Sequence, residues 1–146
     1  DRSPSRGLGD VYKRQVEELL KLTDLVLLDI KEFNQVHHRT LTGRSNEQTL
    51  RTAAWLEENE RPFWLRYVLV PGYSDFEDDI RALGRQLGNY RMIQKVEILP
   101  YHTLGVHKYE AMGQTYQLKG IKENTPEQTE HAAGLFKEYF KTVQVN

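Results

Sequence analysis

The chain has 146 residues, of which 38% are hydrophobic and 28% charged, a balance that predicts one soluble globular domain. It contains no cysteine, which excludes disulfides, a cysteine nucleophile, thiolate zinc sites and a thiolate-held iron–sulfur cluster within these residues. Its net charge of −1 gives no basic field for nucleic acid, and its longest apolar run, residues 25–28, falls far short of the about 20 residues of a membrane span.

The first fifteen residues, DRSPSRGLGDVYKRQ, differ in character from the rest of the chain. They have no helical or alternating period, and four basic against two acidic residues give them a net charge of +2. They resemble translated adapter sequence, so we expect residues 1–15 to be a disordered non-native leader, with a native flexible basic arm as the alternative. They also lack the apolar region of a secretory signal, which predicts a cytoplasmic protein.

Residues 16–146 carry the pattern of a folded domain. In chain order, the first predicted elements are a helix already under way at residue 16, a strand at 24–31, helices at 33–41 and 47–60, and a strand at 63–70. The strand at 63–70 (FWLRYVLV) gives the clearest signal, because aromatic and β-branched side chains fill it and Pro71-Gly72 closes it. Ser45 or Asn46 is the expected N-cap of the helix at 47–60.

The second half continues the alternation of helices and strands. Its predicted elements are a helix at 76–87, a strand within 92–99, a short helix at 108–112, a helix at 125–140 and a short strand at 143–145. Ser74 or Asp75 is expected to cap the helix at 76–87, and Pro126 suits the first helical position of the helix at 125–140.

This alternation predicts an α/β fold in which parallel strands are flanked by helices and joined by right-handed crossovers. Three or four strands do not close a barrel, which takes about eight in its common form. The pattern therefore fits either a small open sheet or part of a barrel.

Polar residues collect near the carboxyl ends of the predicted strands, where parallel α/β folds bind ligands. They are Asp29, Lys31, Arg66 and His102. Two cations, a carboxylate and an imidazole suit a ligand that carries a carboxylate together with hydroxyl or amino groups. The alternatives are a solvated Asp29–Lys31 ion pair, an Arg66–Glu97 pair between neighbouring strands, and a structural role for His102.

Two further features resemble metal sites, but we interpret the first as solvated surface and the second as the acidic start of a helix. His37 and His38 are adjacent, so their side chains diverge. The acidic run at residues 75–79 lacks the ligand spacing of a calcium loop and lies at a predicted helix N-terminus, where negative charge complements the helix dipole. We therefore predict no metal site in the chain.

Five adjacent motifs carry a family resemblance. They are TDLVLLDIK (23–31), LTGRSNEQTL (41–50), WLRYVLVPGYSD (64–75), KVEILPYHTLGVHKY (95–109) and AMGQTYQL (111–118). In this order and spacing, the chain from about residue 17 onward resembles the C-terminal half of the glycyl-radical enzyme activating enzymes, in particular those that activate pyruvate formate-lyase.

The resemblance implies a fold, a reaction and a set of ligand contacts. The fold is a partial (β/α)6 radical S-adenosylmethionine barrel, with its C-terminal part in residues 16–146. A reduced [4Fe–4S] cluster cleaves S-adenosylmethionine, and the resulting 5′-deoxyadenosyl radical takes a hydrogen from a glycine of pyruvate formate-lyase or a related enzyme. An electron donor such as flavodoxin is implied. By the family pattern, Asp29, Ile30, Lys31 and His102 contact S-adenosylmethionine, and Arg66 lines the same cavity.

The chain departs from the family because it contains neither the CxxxCxxC loop that holds the cluster nor the Gly-Gly-Glu motif. We therefore expect a C-terminal fragment that is inactive alone and exposes a strand edge at 24–31, which invites aggregation or pairing. The alternatives are an activating enzyme for another glycyl-radical enzyme, or a non-enzymatic protein that binds a ligand or partner chain.

Overall fold

A computed structural model of the chain describes residues 14–22, 24–43, 45–102 and 120–146. The described strands are β1 (Val26–Ile30), β2 (Phe63–Leu69), β3 (Ile93–Pro100) and β4 (Val143–Val145). The described helices are α1 (residues 14–21), α2 (Gln35–Thr42), α3 (Glu47–Glu58), α4 (Glu77–Leu87) and α5 (Pro126–Lys137). Within the described parts of the chain, no helix is long and apolar enough to cross a membrane.

The four strands form one parallel sheet in the order β1-β2-β3-β4. The predicted α/β fold with a parallel sheet and flanking helices is thereby confirmed, and the predicted strands and long helices lie within a few residues of their expected bounds. The predicted short helix at 108–112 lies outside the described residues. So does the predicted leader, except for Arg14 and Gln15, which belong to α1.

The core lies between one face of the sheet and the helices. β2 supplies Phe63, Leu65, Tyr67 and Leu69, which alternate along the strand and are all almost fully buried. Helices α3, α4 and α5 cover them with Leu56, Ile80, Leu83 and Phe136, among others. Because β2 has a neighbouring strand on each side, its near-continuous apolar sequence is what a buried parallel strand requires.

Asn46, one of the predicted helix caps, has another role in the structure. Asn46 stands at the N-cap of α3 but makes no side-chain capping bond. Its buried Nδ2 instead donates to the carbonyl oxygens of Glu32, at 3.0 Å, and Phe33, at 2.5 Å. Asn46 thus ties the loop after β1 to α3.

Ser74 is not the N-cap of α4, and neither is Asp75, because Phe76 occupies that position. Ser74 is fully buried, and its Oγ accepts from the backbone N of Val70 and donates to the carbonyl of Val68, both at 2.7 Å. It closes the turn after β2. The expectation for the last helix holds, since Thr125 and Gln128 form a capping box with Pro126 at the start of α5.

Helix α4 approaches the segment after α5 so closely that it requires a glycine. A Cβ atom on Gly84 would lie 2.3 Å from ring atoms of Tyr139 and 2.9 Å from the Tyr139 Cβ, which cannot swing away. We expect Gly84→Ala to lower the free energy of unfolding by roughly 1–3 kcal/mol through overpacking. Chemical denaturation of the purified chain measures this loss.

Gly134, on the exposed side of α5, is the matched control. A Cβ there meets nothing within 4 Å. Gly134→Ala should therefore raise the free energy of unfolding by about 0.5–1 kcal/mol, because alanine loses less backbone entropy in a helix. Equal effects of the two substitutions would contradict the close packing of α4 against Tyr139.

Candidate functional site

Three charged side chains lie side by side on one face of the sheet. Asp29 of β1, Arg66 of β2 and Glu97 of β3 are direct neighbours, so their side chains project from the same side of the sheet. Arg66 Nε is 3.9 Å from Asp29 Oδ1. This nitrogen is buried and has no hydrogen-bond partner among the described residues. Arg66 thus keeps an unused donor beside a carboxylate.

Glu97, the alternative partner of Arg66, is engaged elsewhere. Its Oε1 is 3.6 Å from Lys95 Nζ, and its Oε2 accepts from Asn146 Nδ2 at 2.5 Å. The same Lys95 ammonium lies 3.7 Å from the centroid of the Trp64 ring. The predicted alternative of an Arg66–Glu97 ion pair is therefore wrong, and Arg66 pairs with Asp29 across the β1–β2 boundary.

Ile30 and Lys31, the two residues after Asp29, have different surroundings. The Ile30 side chain is buried in the core on the helical side of the sheet, so any ligand contact by Ile30 would have to come from its backbone. Lys31 is half-buried directly after β1. The described ion pairs do not join it to Asp29, so the alternative of an Asp29–Lys31 pair is not seen.

His102 is exposed two residues beyond β3, after the buried Tyr101. The backbone N of Tyr101 donates to Asn124 Oδ1 at 2.7 Å, which joins this strand end to the segment before α5. His102 borders an open cavity that Asn124, Thr129 and Lys137 also line. The described contacts do not bring His102 to Asp29 or Arg66, so the structure gathers the predicted site residues only in part.

The structure assembles a second polar cluster that the sequence interpretation missed. His37 Nδ1 and Asp79 Oδ2 are 2.5 Å apart, and the His37 ring stacks on Phe76 with centroids 4.2 Å apart. Glu32 is fully buried beside them. The interpretation of His37–His38 as solvated surface is wrong for His38, which is buried, and the half-exposed His37 contacts Asp79. The interpretation of the acidic run as a helix N-terminus is confirmed, because its last three residues form the first turn of α4.

Burial changes the acidity of the groups in this cluster. It raises the pKa of Glu32 to about 8, and the negative charge of Asp79 acts in the same direction. Burial, followed by the charges of Glu32 and Asp79, also raises the pKa of the Tyr67 hydroxyl. That hydroxyl donates to the carbonyl of Ser74 at 2.6 Å. The sequence held no usable signal for this cluster, because Glu32 lies beyond β1, where strand alternation no longer fixes the direction of a side chain.

The chain has clear relatives among curated proteins. It is 44% identical over 138 residues to the pyruvate formate-lyase 1-activating enzyme of Escherichia coli (strain K12), a match that covers 92% of this chain and 55% of the relative. It is 41% identical over 137 residues to the pyruvate formate-lyase-activating enzyme of Streptococcus mutans, covering 90% and 52% of the two chains. The chain thus spans about half the length of the relatives it matches. No family model matches the chain.

Solved structures show the same fold at low sequence identity. A domain of pyruvate-formate lyase-activating enzyme from Bacteroides vulgatus matches with a TM-score of 0.74 and 20% identity, over 92% of this chain and 74% of that one. A radical SAM methyltransferase from Sphaerobacter thermophilus matches with a TM-score of 0.57 and 16% identity, over 84% and 33%. By sequence the chain is similar to the pyruvate formate-lyase activating enzymes over about half of their length, and its α/β fold is similar to those of the two solved structures.

Proposed function

We propose that this chain is the S-adenosylmethionine-orienting part of a pyruvate formate-lyase activating enzyme. In that enzyme, S-adenosylmethionine supplies the hydrogen-abstracting radical that converts one glycine of pyruvate formate-lyase to a glycyl radical. The relatives support this proposal by their names and by identities of 41–46%. We further propose that the parent enzyme works in the cytoplasm, takes electrons from a donor such as flavodoxin, and acts on pyruvate formate-lyase or a closely related enzyme.

The observation that carries the ligand assignment is the buried Nε of Arg66, which lacks a hydrogen-bond partner among the described residues. A buried N–H of a charged group is costly when unpaired, so a ligand oxygen placed there gains a charge-assisted hydrogen bond. Asp29, 3.9 Å away, can accept from a ligand hydroxyl or ammonium group. Together the two groups fit the amino-acid end or the ribose of S-adenosylmethionine.

The other proposed contacts extend this arrangement. Lys31 follows β1 and can hold a carboxylate, and the Ile30 backbone passes the same strand end. His102 lies beyond the end of β3 and can accept a hydrogen bond or move a proton. These residues bind and orient the ligand, and we assign them no role in breaking its bonds.

The [4Fe–4S] cluster of the parent enzyme does not fit the residues of this chain. Such clusters are held by cysteine thiolates, and the sequence has none. We therefore assign no reaction step to the cluster within this chain and propose that the chain alone does not cleave S-adenosylmethionine.

The test uses a full-length enzyme that joins this chain to a cluster-binding N-terminal half. We expect Arg66→Gln to weaken S-adenosylmethionine binding about 10- to 100-fold, the effect of one lost hydrogen bond to a charged group. Lys31→Ala should weaken it in the same direction. Calorimetric titration gives the affinity, and chromatography of 5′-deoxyadenosine gives reductive cleavage.

Arg51→Gln is the matched control, since Arg51 lies on the exposed face of α3 and pairs with Glu47 at 3.5 Å. It should leave both readouts unchanged. Wild-type affinity and cleavage in both Arg66→Gln and Lys31→Ala would rule out the proposed site.

A further inference from the structure

Three side chains that can bind a metal ion meet in the structure, none of them assigned to the proposed S-adenosylmethionine site, and each comes from a different part of the chain. Glu32 belongs to the loop after β1, His37 to α2 and Asp79 to the first turn of α4. One nitrogen or oxygen atom from each lies within 4.8 Å of the others. This convergence joins segments that are up to 47 residues apart in sequence.

A separate observation indicates that the cluster is built for a ligand. Glu32 is fully buried, and its Oε1 accepts from the backbone N of Asn34 at 3.1 Å. Its Oε2 is also buried and has no hydrogen-bond partner among the described residues. A buried carboxylate oxygen without a partner is costly, and a bound cation satisfies it directly.

The charges around the cluster also favour a bound cation. Asp79 is a second buried carboxylate, and its described ion pair is with the His37 imidazole. In the described part of the chain, no lysine or arginine forms an ion pair with Glu32 or Asp79. Two buried carboxyl groups beside an imidazole therefore have no lysine or arginine ion-pair partner among the described residues, and a divalent ion would take the place of the Glu32 proton and neutralise both groups.

We propose that Glu32, His37 and Asp79 bind one divalent transition-metal ion of the Zn²⁺ class. An imidazole nitrogen with two carboxylate oxygens is a common ligand set for such ions, at bond lengths of about 2.0–2.2 Å. Three protein ligands leave a fourth position for water, and the partly exposed His37 gives the ion a path from solvent. Calcium suits the cluster less, because it takes 6–8 oxygen ligands.

The geometry requires only small side-chain movements. His37 Nδ1 and Asp79 Oδ2, now 2.5 Å apart, have to separate to roughly 3.3 Å, the ligand spacing in a tetrahedral zinc site. The stack on Phe76 holds the plane of the His37 ring. A bound ion would fasten the loop that carries Lys31 to the N-terminus of α4.

Direct metal titration of the chelator-treated 146-residue chain tests this site. We expect one Zn²⁺ per chain with a Kd of about 10 μM or tighter, a visible absorption band on loading with Co²⁺, and no competition from Mg²⁺. Glu32→Gln, which keeps the side-chain shape, and His37→Gln should each weaken binding by about 100-fold or more.

His131→Gln is the control, because His131 is an exposed histidine that also has a carboxylate neighbour, Glu77, at 3.1 Å. It should bind Zn²⁺ like the wild type. The proposal is overturned if the wild type does not bind one Zn²⁺ per chain. It is also overturned if Glu32→Gln and His37→Gln both bind Zn²⁺ with wild-type affinity. Circular dichroism checks folding, and if Glu32→Gln does not fold, the half-exposed His37 position decides.

Discussion

With metal removed, the wild-type chain should lose stability as the pH rises from about 4.5 to 8, and Glu32→Gln should remove most of that loss. Burial raises the folded-state pKa of Glu32 from 4.5 to about 8. Between these values the folded state keeps a proton that the unfolded state has released. The contribution of Glu32 is therefore fully present below pH 4.5 and disappears as the pH rises through 8, with a slope of at most about 1.4 kcal/mol per pH unit.

Urea denaturation at pH 5, 6.5 and 8 in the presence of a chelator measures this effect. Glutamine resembles the protonated carboxyl group and does not titrate, so the variant should be more stable than wild type at pH 8. Glu130→Gln, on an exposed position of α5, serves as the control and should keep the wild-type slope. Parallel pH profiles for wild type and Glu32→Gln would contradict the assignment.

Ser74→Ala should lower the free energy of unfolding by about 2–4 kcal/mol. Its Oγ satisfies two buried backbone groups, the N–H of Val70 and the carbonyl of Val68. Removal of the hydroxyl leaves both without this partner, and each unsatisfied buried group costs about 1–3 kcal/mol. The carbonyl of Ser74 also accepts a hydrogen bond from the Tyr67 hydroxyl, so the loss of stability extends to the end of β2.

Thermal and urea denaturation of Ser74→Ala measure the loss. Ser45→Ala makes the same chemical change where the Oγ accepts a longer bond, 3.2 Å from the backbone N of Glu47, in an exposed setting. It should cost about 1 kcal/mol or less. Losses of equal size in the two variants would show that the buried turn contributes no more than an ordinary helix start.

Local sequence carried most of the information about the fold. β2 could be predicted because seven of the eight residues at 63–70 are apolar and suit a buried strand, and α5 because Thr125-Pro126 places a proline at its first helical position. Ser74 was misassigned because serine before a helix usually caps it, whereas here the hydroxyl closes the preceding turn. The choice between the two roles depends on packing against Val68 and Val70, which no local pattern encodes.

The two polar clusters differ in how far the sequence could predict them, for a similar reason. Asp29 and Arg66 lie on neighbouring strands, so a parallel sheet brings them together almost automatically. His37 of α2 and Asp79 of α4 are 42 residues apart in sequence and meet only through the tertiary fold. Each looks like surface within its own helix, and only the tertiary arrangement places them beside the buried Glu32.

The strand order of the sheet has a consequence for how the chain folds. Each strand after β1 pairs with the strand that precedes it in the chain. Contacts that are near in sequence form with a small loss of loop entropy, so they favour rapid folding. During synthesis, β1 and β2 can therefore pair before β3 has left the ribosome, and each later strand finds its template already in place.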